Sequence, residues 1–154
     1  MVEISIQEPD ERDIYALAEG MRAADVAEIL ASGDRDPLTA VVDSVWASTM
    51  CWSVRADGEL LCIFGCAPIG TMLSCEGAPW MMGTDALDRH PVTLMKTCPR
   101  YIDLMKNSFP HLRNYVDARN KKSIRWLRRL GFTIHPPTPF GVSQLPFHLF
   151  EMRC

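Results

Sequence analysis

Residues 112–132 read Leu112-Arg-Asn-Tyr-Val-Asp-Ala-Arg-Asn-Lys-Lys-Ser-Ile-Arg-Trp-Leu-Arg-Arg-Leu-Gly-Phe132. Leu112 to Val116 has the composition of a short strand, and 117–121 is polar. Apolar positions resume at Ile124, Leu127 and Leu130 with helical spacing. The stretch therefore predicts strand, tight polar turn, short helix and stop. Asp117 or Asn120 can accept hydrogen bonds from the free N–H groups of the first helical turn, and Lys121, Lys122, Arg125, Arg128 and Arg129 load the helix with positive charge. Gly131 stands where a left-handed residue closes a helix, and Phe132 can fold back onto the last turn.

The rest of the chain extends this pattern on both sides. Val2, Ile4 and Ile6 alternate with polar residues as a half-buried strand does. A first helix begins at Pro9, with Ile14, Leu17 and Met21 on one face. A second is carried by Val26, Ile29 and Leu30 and stops at Ser32-Gly33. A third opens at Asp36-Pro37, with Trp46 beside its apolar positions. Two strand-like runs, 51–56 and 59–65, flank Asp57-Gly58, whose glycine accepts the positive φ of a tight hairpin turn. Residues 65–78 read as the end of that strand and a loop, and 79–84 as a short central strand. A long helix follows, with Met95, Cys98, Ile102, Met105 and Phe109 on one face and a break expected at Pro99. After Phe132 come a Thr-Ile-His strand, a loop at 136–139 and a last strand from Leu145 to Met152. The predicted order is β-ααα-β-β-β-α-β-α-β-β. That is an α/β (α+β) fold with a mixed central sheet of about six to seven strands flanked by helices, in a single domain over 1–154.

Composition narrows the function. The net charge of −3 argues against a general nucleic-acid binder, with the basic 119–129 segment a local exception. The six cysteines, Cys51, Cys62, Cys66, Cys75, Cys98 and Cys154, form no Cys-x-x-Cys pair and read as free buried thiols. The N-terminus shows no signal peptide, and no apolar run approaches the ~20 residues of a membrane span. An intracellular, reducing setting fits both. His90, His111, His135 and His148 show no metal-ligand spacing, so no metal site is expected. Neither a Gly-x-Ser-x-Gly elbow nor a phosphate-binding Gly-Lys-Ser/Thr loop is present.

Asn120, Ser123, Leu127 and Leu130-Gly131-Phe132 together resemble the penultimate helix of the GNAT superfamily of acyl-coenzyme A-dependent N-acyltransferases. The longer run from Trp80-Met-Met-Gly-Thr-Asp85 through His90-Pro91 to Leu130-Gly-Phe is similar to small GNAT-like proteins of short-tailed bacteriophages, related to an internal virion protein. The resemblance implies acetyl-coenzyme A in a cleft between strands 79–84 and 112–117, and an amine as acceptor. It places the Met82-Gly83-Thr84 backbone near the thioester, Arg89 and His90 near the pyrophosphate, and Asn120 on the pantetheine arm. Its glycine-rich phosphate loop is missing. In its place stands Thr84-Asp85-Ala-Leu-Asp88-Arg89-His90, whose two aspartates repel an anion or serve as helix caps. No tyrosine occupies 118–130 to protonate the leaving thiolate. Ser123 and Tyr115 are the hydroxyls available, the first also a capping serine and the second also a packed aromatic. The alternative implied is an inactive GNAT-like module that binds a host or virion protein.

Overall fold

The computed structural model describes residues 1–71 and 73–153. The chain opens with β1 (Ile4–Gln7), followed by α1 (Glu11–Gly20), α2 (Ala23–Gly33) and α3 (Pro37–Ala47). Asp10 and Asp13 close a reciprocal capping box at the start of α1, and Asp36 caps α3 by accepting the Thr39 N–H at 3.0 Å. The hairpin of β2 (Met50–Ala56) and β3 (Glu59–Pro68) turns at Asp57 and Gly58, both at positive φ, which matches the twist of the strands it joins. Then follow β4 (Glu76–Gly83), a 3₁₀ turn at Asp85–Arg89, α4 (Pro91–Ser108), β5 (His111–Asp117), α5 (Lys121–Leu130), β6 (Thr133–Ile134), β7 (Thr138–Phe140) and β8 (Leu145–Arg153).

All eight strands join one sheet in the order β1-β2-β3-β4-β5-β8-β6, with β7 also on β8. Every pairing is antiparallel except β4 with β5. Helices cover both faces, because the strand alternation is apolar on both sides. Leu17, Ala40, Val41, Ile63 and Met82 form the core under α1 and α3, and Phe64, Leu94, Met105, Leu112, Leu127 and Phe150 form the core under α4 and α5. Each fully buried leucine of this kind stabilises the fold by on the order of 1.5–3 kcal/mol.

The mixed sheet and the element order follow the sequence reading, with local departures. The strand total is eight, because Thr138–Phe140 pairs with Leu145–Phe147 where a loop was expected at 136–139. Pro136 and Pro137 lack an N–H and split the outer edge of β8 into two short partners, β6 and β7. The expected 65–78 loop is shorter, since β3 runs to Pro68 and β4 starts at Glu76. Pro99 does not break α4. It is exposed, so the Met95 carbonyl that loses its partner lies on the solvent side, and the interruption falls earlier, at the 3₁₀ turn. Trp46 is 83% exposed rather than packed, and Leu30 is also exposed. Neither Asp85 nor Asp88 caps a helix. Cys62, Cys66 and Cys98 are buried free thiols, whereas Cys51 is half-buried and Cys75 exposed; Cys154 lies outside the described residues. No described helix is long and apolar enough to cross a membrane.

Asn120 is the cap of α5, accepting the Ser123 N–H at 3.3 Å, while Asp117 instead holds the turn through Arg119. At the other end Gly131 (φ 101°) donates to Arg128 O and Phe132 donates to Leu127 O, a complete Schellman motif. A Cβ at Gly131 would meet only the Met152 methyl, at 3.5 Å, so Gly131→Ala is expected to cost roughly 1 kcal/mol from backbone conformation alone. Urea denaturation with an unchanged midpoint would show that this reading of the cap is mistaken.

Candidate active site

The site is built where the two parallel strands part. β4 and β5 pair through Glu76–His111 and Gly77–Leu112 and then diverge. The Asn114 side chain bridges the start of the gap, donating to Pro79 O at 2.9 Å and accepting the Tyr115 N–H at 2.8 Å. Further out, the Glu28 carboxylate reaches across from α2 and accepts the Asp117 N–H at 2.7 Å. On β5, then, side chains close the gap-facing amides of Tyr115 and Asp117.

On β4 one amide stays open. Thr84 and Glu76 are tied to β3 through Thr84 N–H to Leu61 O and Ile69 N–H to Glu76 O, so the even residues of β4 direct their backbone groups at β3. The odd residues face the gap. Gly77 pairs with β5, Pro79 has no N–H, and the Gly83 N–H donates to Asp25 Oδ2 at 2.8 Å. The Met81 N–H points into the gap, and no hydrogen bond among the described residues uses it.

Asp25 holds the end of β4 in place. It is buried, takes a two-point contact from Arg22 (3.0 and 3.1 Å), and together with the Arg22 N–H to Gly83 O bond it locks α2 against the strand. Arg22 extends to Asp88 at 3.3 Å, and Lys122 lies 3.7 Å from the same carboxylate. Burial lowers the Arg22 pKa, yet Asp25 and Asp88 outweigh it and the net shift is upward. Glu28 has no such partner. Burial pushes its pKa up to about 7, against the pull of the Asp117 N–H and reinforced by the Asp25 and Asp117 charges.

Two cavities meet at this gap. One, of about 410 Å³, passes through the parted sheet and is bordered by Glu28, Met81, Tyr115 and Trp126 among others. The second, of about 360 Å³, lies between the start of α4 and α5 beside Arg22, Lys122, Arg125, Arg129 and Asp88. Met81, Ser123 and Trp126 border both and form the throat between them. The Trp126 indole N–H there is buried with no hydrogen-bond partner among the described residues. The first turn of α4 has no side-chain cap.

Of the residues singled out from sequence, Ser123 and Tyr115 border the gap, as does Met82, whose side chain belongs to the core under α1 and α3. Gly83 and Thr84 are engaged with Asp25, Leu60 and Leu61, and Asn120 with its helix cap. Arg89 is paired with Glu59 of the hairpin, and His90 joins the 3₁₀ turn to α4; neither borders either of these two cavities. Sequence reasoning overlooked Arg22, Asp25 and Glu28. Their signal was an Arg, an Asp and a Glu three residues apart, hence on one side of a helix otherwise apolar.

No described protein family matches the chain by sequence, and no curated protein does. Solved structures do match. A putative acetyltransferase from Salmonella typhimurium, solved with acetyl-CoA, aligns with TM-score 0.72 at 17% identity, over 97% of this chain and 93% of that one. A GNAT-family acetyltransferase from Streptococcus pneumoniae aligns with TM-score 0.69 at 12% identity, over 99% and 100%. The Escherichia coli ribosomal-protein-S18-alanine N-acetyltransferase gives 0.67 at 13%, over 98% and 94%. The fold is the GNAT acetyltransferase fold. Within it, the parted strands of this chain present one open amide, one carboxylate of raised pKa and a cationic mouth.

Proposed function

We propose that the chain is an N-acyltransferase that takes an acyl group from acetyl-coenzyme A and places it on a primary amine. The observation that carries this reading is the unpaired Met81 N–H in the gap whose far side holds Glu28. A fixed backbone donor stabilises negative charge developing on a carbonyl oxygen, and a carboxylate titrating near neutrality removes the amine proton. Acetyl-coenzyme A supplies an activated thioester carbonyl. Everything else is the protein's work. The N–C bond forms as the C–S bond breaks, one amine proton passes to Glu28, and the departing sulfur takes a proton from water, directly or relayed through the Ser123 hydroxyl at the throat, which gives up its own proton and regains one from water.

The residues fit the donor without a glycine-rich loop. Arg22, Lys122, Arg125 and Arg129 with the uncapped start of α4 make the second cavity a site for a pyrophosphate, and the buried Trp126 N–H gives the throat a donor for a carbonyl of the arm. Asp88 opposes this, being the one carboxylate among the described residues that line that mouth. A phage origin, with a host or virion protein as acceptor or as the partner of an inactive module, rests on the sequence resemblance alone.

Calorimetric titration with acetyl-coenzyme A tests the reading. Binding is expected for the parent chain, and Asp88→Asn is expected to tighten it roughly five- to tenfold, about 1 kcal/mol for removing one like charge in a partly exposed site. Absence of binding at millimolar ligand in both proteins rejects the acyltransferase in favour of the binding module.

A further inference from the structure

The α2 side of the gap says which amine. Trp80 and Met82 belong to the core under α1 and α3, and Tyr115 lies on the same side, since its neighbours Leu112 and Val116 belong to the opposite core. Tyr115 stacks on Phe140 with ring centres 4.1 Å apart, and Phe140 in turn meets Phe147 at 5.1 Å. Trp80, Tyr115 and Phe140 are each half-buried and line the cavity, so they present aromatic surface to it. The Trp80 indole N–H is already given to the Ser48 hydroxyl at 2.7 Å, which leaves the ring as an apolar face.

The charges there are few. Asp25 is neutralised by Arg22 and Arg35 is paired with Asp43 at 3.0 Å, so Glu28 is the carboxylate left without a cation among the described residues of that lining. One such carboxylate suits one amine. A polyamine or an aminosugar, with several ammonium groups, would bury the remainder against aromatic rings unpaired.

Resting on the acyltransferase reading, we propose that the acceptor is a small monoamine with an aromatic body, an arylalkylamine, its ring between Trp80 and the Tyr115–Phe140 pair and its nitrogen at Glu28. A ring there meets other rings edge-on or offset, and the amine nitrogen finds its partner in the carboxylate. The wall is held by β7 and the turn after it, whose Val142 and Ser143 N–H groups donate to Ser32 O and Ala31 O at the end of α2, both at 3.2 Å.

The test measures release of free thiol from acetyl-coenzyme A with 2-phenylethylamine, spermidine and a short peptide bearing a free N-terminus. We expect kcat/KM for 2-phenylethylamine at least tenfold above the other two. In Phe140→Ala the KM for this amine should rise about tenfold while the calorimetric Kd for acetyl-coenzyme A stays within twofold, which also certifies that the variant is folded. Phe140→Leu keeps apolar volume and should fall between. Equal or better use of spermidine or the peptide, thiol release independent of any amine, or an unchanged KM in Phe140→Ala overturns the proposal while leaving acetyl-coenzyme A binding intact. Absence of acetyl-coenzyme A binding by the parent overturns both readings together.

Discussion

Met81→Pro is expected to lower kcat by about 10²–10³, the usual effect of removing one preorganised donor to a developing oxyanion. Proline deletes the N–H, and at this position the deletion is unusually clean. Met81 faces Phe64 at a site of the β3–β4 ladder where neither residue bonds the other, so no sheet hydrogen bond is lost. Pro79 already occupies the equivalent position two residues earlier. The residue before a proline is pushed toward extended backbone, which Trp80 has as part of β4. Met81→Leu supplies the control, since it keeps the N–H and most of the side-chain volume. Parent-like kcat in Met81→Leu beside a large loss in Met81→Pro is the expected pattern, with both variants still unfolding cooperatively although Met81→Pro gives up the core packing of the Met81 side chain. Equal activity in the two variants would remove this amide from the mechanism.

Glu28→Gln should cost about 10²–10⁴ in kcat/KM, the range for loss of a general base. Gln keeps an oxygen to accept the Asp117 N–H, so the geometry across the gap survives. In the parent, kcat/KM should climb with pH and level off above about 7, where Glu28 has lost its proton, and the variant should lack that limb. Stability moves the other way. With its pKa raised from 4.5 to about 7, folded Glu28 holds its proton more tightly than the unfolded chain does. The stabilisation from that proton is present below pH 4.5 and lost as pH rises through about 7, leaving a buried charge that costs up to about 3 kcal/mol. Glu28→Gln should therefore unfold at higher denaturant than the parent at pH 8, by an amount that vanishes toward pH 4. A variant less stable at pH 8, or one with full activity, would contradict the role given to Glu28.

On the acyltransferase reading, side-chain charge takes the place of the glycine-rich loop. Where backbone N–H groups would cradle phosphate, this chain has a 3₁₀ turn whose Asp88 is held between Arg22 and Lys122. On that reading, the cations of α5 would supply the attraction instead. Sequence reading noted the five cations of the helix, Lys121 to Arg129, but had no means of telling which shared a cavity with the start of α4.

Local signals were legible wherever a few neighbouring residues decide the outcome. Asp57-Gly58 dictated a hairpin because positive φ is a property of the turn residues themselves, and Asn120 with Gly131 bounded α5 because caps act on amides and carbonyls within five residues. The order of elements, the two-sided sheet and the neighbourhood of β4 and β5 followed from periodicity and the family resemblance. Other outcomes needed partners from far along the chain. Whether Trp46 is buried depends on what lies opposite the end of α3, and β7 exists because β8 offers it an edge. The site belongs to this second kind. Glu28 is 89 residues from the amide it accepts, and Asp25 is 58 from Gly83. The identity of the open amide follows from ladder parity and from where two parallel strands stop pairing. Periodicity along a chain states which residues share a face, while the pKa of a carboxylate and the freedom of an N–H are set by the groups that folding brings opposite them, and that only the tertiary structure decided.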